Sequence, residues 1–300
     1  MLILHIGTGK TGTTSIQRTL LTLDGTSIKC LSSCDGLNHG KAWKLSAGLG
    51  TPSSYGYFVT HRNLMTSAEY EENRRVIGAQ IREEVAACSH EIHVASCEDL
   101  YHLCDGDIDA ILWLKDQLVP IFGRVRVIVY LREQVSFLQS VYAQKIKGTG
   151  RYAGSYRQFV RELDAMRPIW DYAATIKAWA NVFNDIDVAV YDTRALKNGN
   201  VVDDFFAKLG VNEASLADQQ NTRRNVSPGF RYLQALRLAN ACRLSHGRAH
   251  RLMPNSLKAD RTPFPDTYNQ QILQQVSSGN AFINTEYLAG SAVKLPVLAH

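Results

Sequence analysis

The sequence predicts an α/β fold: a central parallel sheet flanked by helices, a P-loop-like nucleotide-binding edge and a helical C-terminal portion. Three observations carry that expectation. Short, apolar, β-branched runs recur along the first two thirds of the chain, the mark of strands buried on both faces. Amphipathic helical patterns lie between them, and strand–helix alternation at this spacing builds a parallel sheet. A stretch rich in glycine and hydroxyls separates the first strand from the first helix.

Strands are expected at Leu2–Ile6, Ile92–Ser96, Val125–Leu131 and Ile186–Tyr191. Helices are expected at Thr13–Leu23, Ile108–Leu118 and Val135–Ile146, one after each of the first three strands. Tyr172–Phe183 precedes the fourth strand and Val201–Leu209 follows it. Two regions break this rhythm. Residues 35–68 carry Gly36, Gly40, Gly48, Gly50 and Gly56 among scattered aromatics and read as a lid or binding insertion. From Pro228 onward the pattern is helical, with a break at Pro254, Pro263 and Pro265. With no internal repeat and no low-complexity linker, residues 1–300 read as a single elaborated domain.

Hydrophobic residues make up 45% of the chain and charged residues 20%, an ordinary globular balance. The net charge of +5 suits an anionic ligand but is too small to imply nucleic acid, and no run of like charges forms a polybasic tail. Met1 leads at once into Leu2-Ile3-Leu4, without the basic flank and apolar run of a secretory leader. No stretch reaches the roughly 18 apolar residues of a membrane span. The cysteines, Cys30, Cys34, Cys88, Cys97, Cys104 and Cys242, follow no paired zinc spacing. They read as reduced thiols of a cytoplasmic protein, and no metal site is expected.

The stretch Gly7-Thr8-Gly9-Lys10-Thr11-Gly12-Thr13-Thr14-Ser15 is built to cradle an anion. Glycines let backbone N–H groups approach closely, a helix beginning near Thr13 offers unpaired donors and its positive dipole end, and Lys10 adds a full charge. A nucleoside-triphosphate P-loop would need a glycine where Leu4 stands, so that strict pattern fails. Gly7, Gly9 and Gly12 do satisfy a dinucleotide fingerprint, with Asp35 as its ribose acid. A lysine and three hydroxyls are unusual in a loop of that kind. Arg132 then ends the third strand, on the sheet edge where open α/β folds bind ligands, and Ser140 follows eight residues later. A guanidinium grips phosphate bidentately, and a serine hydroxyl adds a donor. Taken alone, an arginine and a serine at this spacing more often cap a strand and pack a helix.

The order Lys10-Thr11-Gly12-Thr13-Thr14 resembles the 5′-phosphosulfate loop of sulfotransferases that use 3′-phosphoadenosine 5′-phosphosulfate (PAPS). Leu131-Arg132-Glu133-Gln134 with Ser140-Val141-Tyr142 is similar to the 3′-phosphate motif of the same family. Trp170-Asp171-Tyr172, Trp179, Phe183, Val188–Asp192, Asp203-Asp204-Phe205 and Leu209-Gly210 follow its usual progression, so the likeness covers most of residues 1–210. Arg223 and Arg224 stand where animal cytosolic members place an Arg-Lys-Gly element on the 3′-phosphate; that tripeptide is absent here.

The resemblance implies sulfuryl transfer from PAPS to an acceptor hydroxyl, on a carbohydrate or other small molecule, with no metal required. It assigns Lys10, Thr11, Gly12, Thr13, Thr14 and Ser15 to the 5′-phosphosulfate and Arg132 and Ser140 to the 3′-phosphate, with Lys10 also stabilising the leaving oxygen. The general base is open between Glu98, at the carboxyl end of the second strand, and His5 or His61. A histidine inside a buried strand is more often a satisfied core residue. Tyr57, His61 and Arg62 are expected to face the acceptor, although an aromatic cluster in an insertion is often just that insertion's own core. Two rival readings stay open. An acid at the end of an apolar strand also positions Mg²⁺ in nucleotide kinases and NTPases, with Glu98 or Asp99 as ligand. A nucleotide-binding module without catalysis is the second.

Overall fold

The computed structural model describes residues 1–23, 28–31, 67–98, 100–101, 108–162, 170–211 and 228–298. These fall into two compact units. One comprises the described residues of Met1–Arg132, Asp171–Thr222 and Gly279–Leu295; the other those of Glu133–Trp170, Arg223–Ser278 and Pro296–His300.

The first unit is built on a sheet of five parallel strands: β1 (Leu2–His5), β2 (Lys29–Cys30), β3 (His93–Ser96), β4 (Val125–Leu131) and β5 (Ile186–Val190). Their order is β2-β3-β1-β4-β5, which puts β1 at the centre. His5 lies beside Ser96 on β3 and beside Ile128 on β4, so the three carboxyl ends open on one edge. Helices α1 (Thr13–Leu23), α2 (Ser67–Ala86), α3 (Asp109–Phe122), α6 (Tyr172–Val182) and α7 (Val201–Lys208) complete it.

Side chains alternate across a strand, and here both faces are apolar. Leu2, Leu4 and Ile6 join Val125, Val127, Val129 and Leu131 in a core closed by Ile111 and Leu114 of α3 and by Ile176 and Trp179 of α6. On the opposite face, Ile3, Ile128 and Tyr130 pack with Ile16 and Leu20 of α1 and with Phe205 and Phe206 of α7. Each aliphatic side chain buried in this way contributes about 1.5–3 kcal/mol against chain entropy. The β4–β5 pair is also stitched by ion pairs at its rim, Arg124 to Asp185 at 2.6 Å and Arg126 to Asp187 at 2.8 Å. Lys208 of α7 reaches Asp187 at 2.9 Å.

The second unit is helical: α4 (Gln134–Lys147), α5 (Tyr156–Arg161), α8 (Phe230–Ala241), α9 (His246–Leu252) and α10 (Asn255–Lys258). Helix α11 (Asn269–Glu286) has its first residues in this unit and its last in the sheet unit. Glu133 caps α4 by accepting from the N–H groups of Val135 and Ser136, the most direct way to satisfy orphan donors at a helix start. Asn240 is the polar pin of this unit. Its amide donates to the carbonyls of Ile146 and Tyr152, and its oxygen lies 2.9 Å from His246 Nε2. That one side chain joins the end of α8 to the turn after α4 and to the start of α9.

The central parallel sheet, its flanking helices and the helical C-terminal part match expectation. Helix α2 and strand β2 do not follow from the apolar rhythm. Along 67–86 charged residues crowd both halves of the helix and leave only 76–81 as an uncharged stretch, and two residues are too short a run to show a strand period. The insertion expected at 35–68 lies outside the described residues except for its last two, which begin α2. Among the described residues no helix is long and apolar enough to cross a membrane.

Candidate anion-binding site

Strand β1 runs into the glycine-rich loop, and the loop is held from below. Ile6 N–H donates to Ile128 at 3.0 Å, while Thr8 donates to the Tyr130 carbonyl through both its N–H, at 3.2 Å, and its hydroxyl, at 3.0 Å. The Thr11 hydroxyl turns back onto the Thr8 carbonyl. Lys10 and Gly12 both take left-handed backbone angles, φ +70° and +77°. Such alternation folds successive N–H groups inward into an anion-binding concavity. A non-glycine residue there is uncommon and signals a conformation imposed by its surroundings. Part of that imposition comes from Arg132, whose guanidinium donates to the Lys10 carbonyl at 3.2 Å.

Gly12 needs to be glycine twice over. A Cβ at its left-handed angles would also sit 2.6 Å from Cγ1 of Val201, the first residue of α7. Its carbonyl accepts from Ser15 and Ile16 and so starts α1. By helix geometry the N–H groups of Thr13 and Thr14, ahead of those two bonds, have no intrahelical acceptor and point with the positive dipole end toward the loop. Thr14 is exposed and Ser15 half-buried, whereas Thr11 and Thr13 are buried.

Glu98 follows β3 by two residues and is half-buried. Its carboxylate accepts from the amide of Gln17 at 2.8 Å, and the same amide nitrogen lies 3.4 Å from the Ser96 carbonyl. Gln17 sits one turn below Thr13 on α1. The helix that presents donors to the loop thus also orients the acid on the neighbouring strand.

His5 is different in kind. It is fully buried, with Nδ1 2.8 Å from the Ser96 hydroxyl and the ring 5.1 Å from that of Phe205. Among the described residues Nε2 has no hydrogen-bond partner, and it faces Gly7, where a Cβ would approach it to 2.7 Å. Desolvation holds this imidazole down at about 3. At neutral pH it is an uncharged, fully buried residue beneath the loop.

The sheet edge therefore carries Lys10, Thr11, Gly12, Thr13, Thr14 and Ser15 on the loop and first turn, Arg132 at the end of β4 and Glu98 beyond β3. Ser140 lies half-buried on α4, in the helical unit. Tyr57, His61, Arg62, Arg223 and Arg224 lie outside the described residues, as do Asp35 and Asp99. Three neighbours of the site escape the sequence reading. Gln17 holds Glu98; Tyr172 donates to the Arg132 carbonyl at 2.7 Å; the Tyr191 ring lies 6.0 Å from the Arg132 guanidinium. Gln17 had a legible signal, a polar residue on the buried stripe of Ile16, Leu20 and Leu23. Among the described residues no cluster of His, Cys, Asp and Glu is placed to hold a metal ion.

No family model matches the chain, and no curated protein matches it in sequence. Among solved structures it is similar to a sulfotransferase from Alicyclobacillus acidocaldarius, at 17% identity and a TM-score of 0.45, over 83% of this chain and 98% of that one.

Two outcomes follow from the loop and the strand beneath it. Gly9, whose Cβ would meet nothing within 4 Å, accepts alanine with little loss of stability, whereas Gly12→Ala costs about 1–3 kcal/mol by urea denaturation. His5 is neutral in the folded protein and titrates at its ordinary value once unfolded, so the unfolded chain binds the extra proton. Stability from this residue is complete above about pH 6.5 and declines by up to about 1.4 kcal/mol per unit as pH falls toward 3. Comparing denaturation across pH for the native protein and His5→Gln isolates that slope, which the variant lacks.

Proposed function

We propose that the protein transfers a sulfuryl group from PAPS to an acceptor hydroxyl, on a carbohydrate or glycan. The observation that carries this reading is the bond between the Arg132 guanidinium and the Lys10 carbonyl. It joins the lysine loop and the arginine into one cationic edge, as a nucleotide with phosphates at both 5′ and 3′ positions requires. The residue pattern supports the same donor. Lysine before Gly-Thr-Thr suits a 5′-phosphosulfate, and arginine with serine eight residues on suits a 3′-phosphate.

In this scheme the first-turn N–H groups of α1, with Thr11, Thr13, Thr14 and Ser15, would hold the 5′-phosphate. Arg132 and Ser140 would hold the 3′-phosphate. The donor supplies an activated sulfuryl group with a good leaving phosphate. Lys10 acts where negative charge builds on the leaving oxygen, the point at which a fixed cation lowers the barrier most. Glu98 removes the acceptor proton, and Gln17 keeps its carboxylate aimed. Orientation contributes the rest, because the loop and helix are ordered before the reactants meet. Tyr57, His61 and Arg62 are the proposed acceptor contacts.

A second reading follows from the position of Glu98, since an acid just past an apolar strand also suits a Mg²⁺-dependent kinase or NTPase. Calorimetric titration separates the two. 3′-Phosphoadenosine 5′-phosphate should bind in EDTA, and Arg132→Ala should weaken that binding at least tenfold. Mg²⁺-dependent binding of ATP in its place would overturn the sulfotransferase reading. Lys10→Ala should lower kcat by about 10²–10³-fold with a much smaller effect on nucleotide affinity. Binding without turnover in any acceptor screen would leave a nucleotide-binding module.

A further inference from the structure

Charge is divided unevenly between the two units. The described residues of the sheet unit hold 15 Lys and Arg against 16 Asp and Glu, a net −1. Those of the helical unit hold 12 against 4, a net +8. Among the described residues no ion pair neutralises any of these twelve cations. The uneven division has a local focus. Arg151 and Arg243 stand in left-handed turns, φ +46° and +56°, at positions where glycine or asparagine would cost less. Asn240 binds both turns: its side-chain amide donates to the Tyr152 carbonyl at 3.1 Å, and its own backbone carbonyl accepts from the Arg243 N–H at 2.9 Å. Two exposed arginines are thereby presented from neighbouring turns.

The same unit carries the two most exposed large apolar side chains among the described residues, Leu252 at 75% and Leu238 at 55%. On α9, Arg248, Arg251 and Leu252 are three and four residues apart and share one face. The turn between α8 and α9 is closed by the Leu244 N–H to Ala239 carbonyl bond, and α9 meets α8 at the Tyr232 hydroxyl, 3.3 Å from His250 Nδ1. Solitary exposed leucines are ordinary on a protein surface. Leucine beside arginine on a unit of this charge is a narrower combination.

We propose that α8 and α9 form a docking surface for an anionic lipid bilayer. Guanidinium groups meet lipid phosphates at the headgroup level while Leu252 and Leu238 enter the acyl boundary, the division of labour of a helix lying in the interface. The competing occupants fit less well. A second copy of the chain would bring +8 against +8. A nucleic acid would use the arginines but leave both leucines in water. The proposal uses none of the residues assigned to the transfer reaction and does not depend on the identity of that reaction.

Sedimentation of the whole protein with vesicles tests it. Phosphatidylcholine vesicles containing phosphatidylglycerol should bind the protein, and phosphatidylcholine alone should not. Paired Arg248→Glu and Arg251→Glu substitutions should weaken binding at least tenfold, and paired Leu238→Ser and Leu252→Ser about fivefold. All four side chains are exposed, and circular dichroism checks that the variants fold. As an independent readout, tryptophan emission of Leu252→Trp should shift to the blue on anionic vesicles by more than that of the native protein. Absence of binding to phosphatidylglycerol vesicles overturns the proposal. So does binding that ignores the leucine changes, which would mark a soluble polyanion as the partner, or concentration-dependent self-association that the leucine changes abolish.

Discussion

Thr8 makes two hydrogen bonds to one carbonyl, and the candidate site is organised around them. A backbone carbonyl has two lone pairs, and at Tyr130 the Thr8 N–H and hydroxyl both approach the oxygen. Thr8 is 1% exposed, so neither donor has water as an alternative. The loop is therefore registered on β4 before it turns. From that fixed point the chain reaches Lys10, where the Arg132 guanidinium takes the carbonyl, and Gly12, which opens α1. Phosphate-scale recognition depends on donor positions good to a few tenths of an ångström, and a loop anchored only at its ends would not supply them.

Beneath the loop the surroundings are largely apolar and hold no cation on His5. His5 is held neutral by burial, and the Tyr130 hydroxyl is pushed well above its ordinary range, chiefly by desolvation and then by Asp204, to which it donates at 2.7 Å. The positive charge of this edge is thus confined to its rim, on Lys10, Arg132 and the end of α1. A low-dielectric floor under a cationic rim strengthens the field that an anion meets, because little beneath the site can screen it.

Much of this was legible in the residues themselves. Buried parallel strands announce themselves as apolar runs, and Val125–Leu131 keeps its expected limits in the structure. The loop was legible for a related reason, since few structural turns need a lysine, three glycines and several hydroxyls together. The missing parts share a physical cause. Helix α2 is dominated by charge, so its apolar face is too thin to read, and β2 owes its conformation to pairing with β3 rather than to its own composition. The partnership of Gln17 with Glu98 spans 81 residues and exists only because β1 lies beside β3. Sequence spacing holds no record of a contact made by sheet order.

Helix α1 has two offices. Its first turn offers donors to an anion, and one turn lower its Gln17 grips the acid on the adjoining strand. The backbone between them is a single rigid segment packed on the sheet through Ile16 and Leu20. A rigid segment that serves two ligands makes their affinities reciprocal: whatever an occupant of the loop does to the placement of Glu98, an occupant beside Glu98 does to the loop by the same factor. Cooperation between two such occupants would then need no further moving part, since one buried helix gives each side a mechanical report of the other.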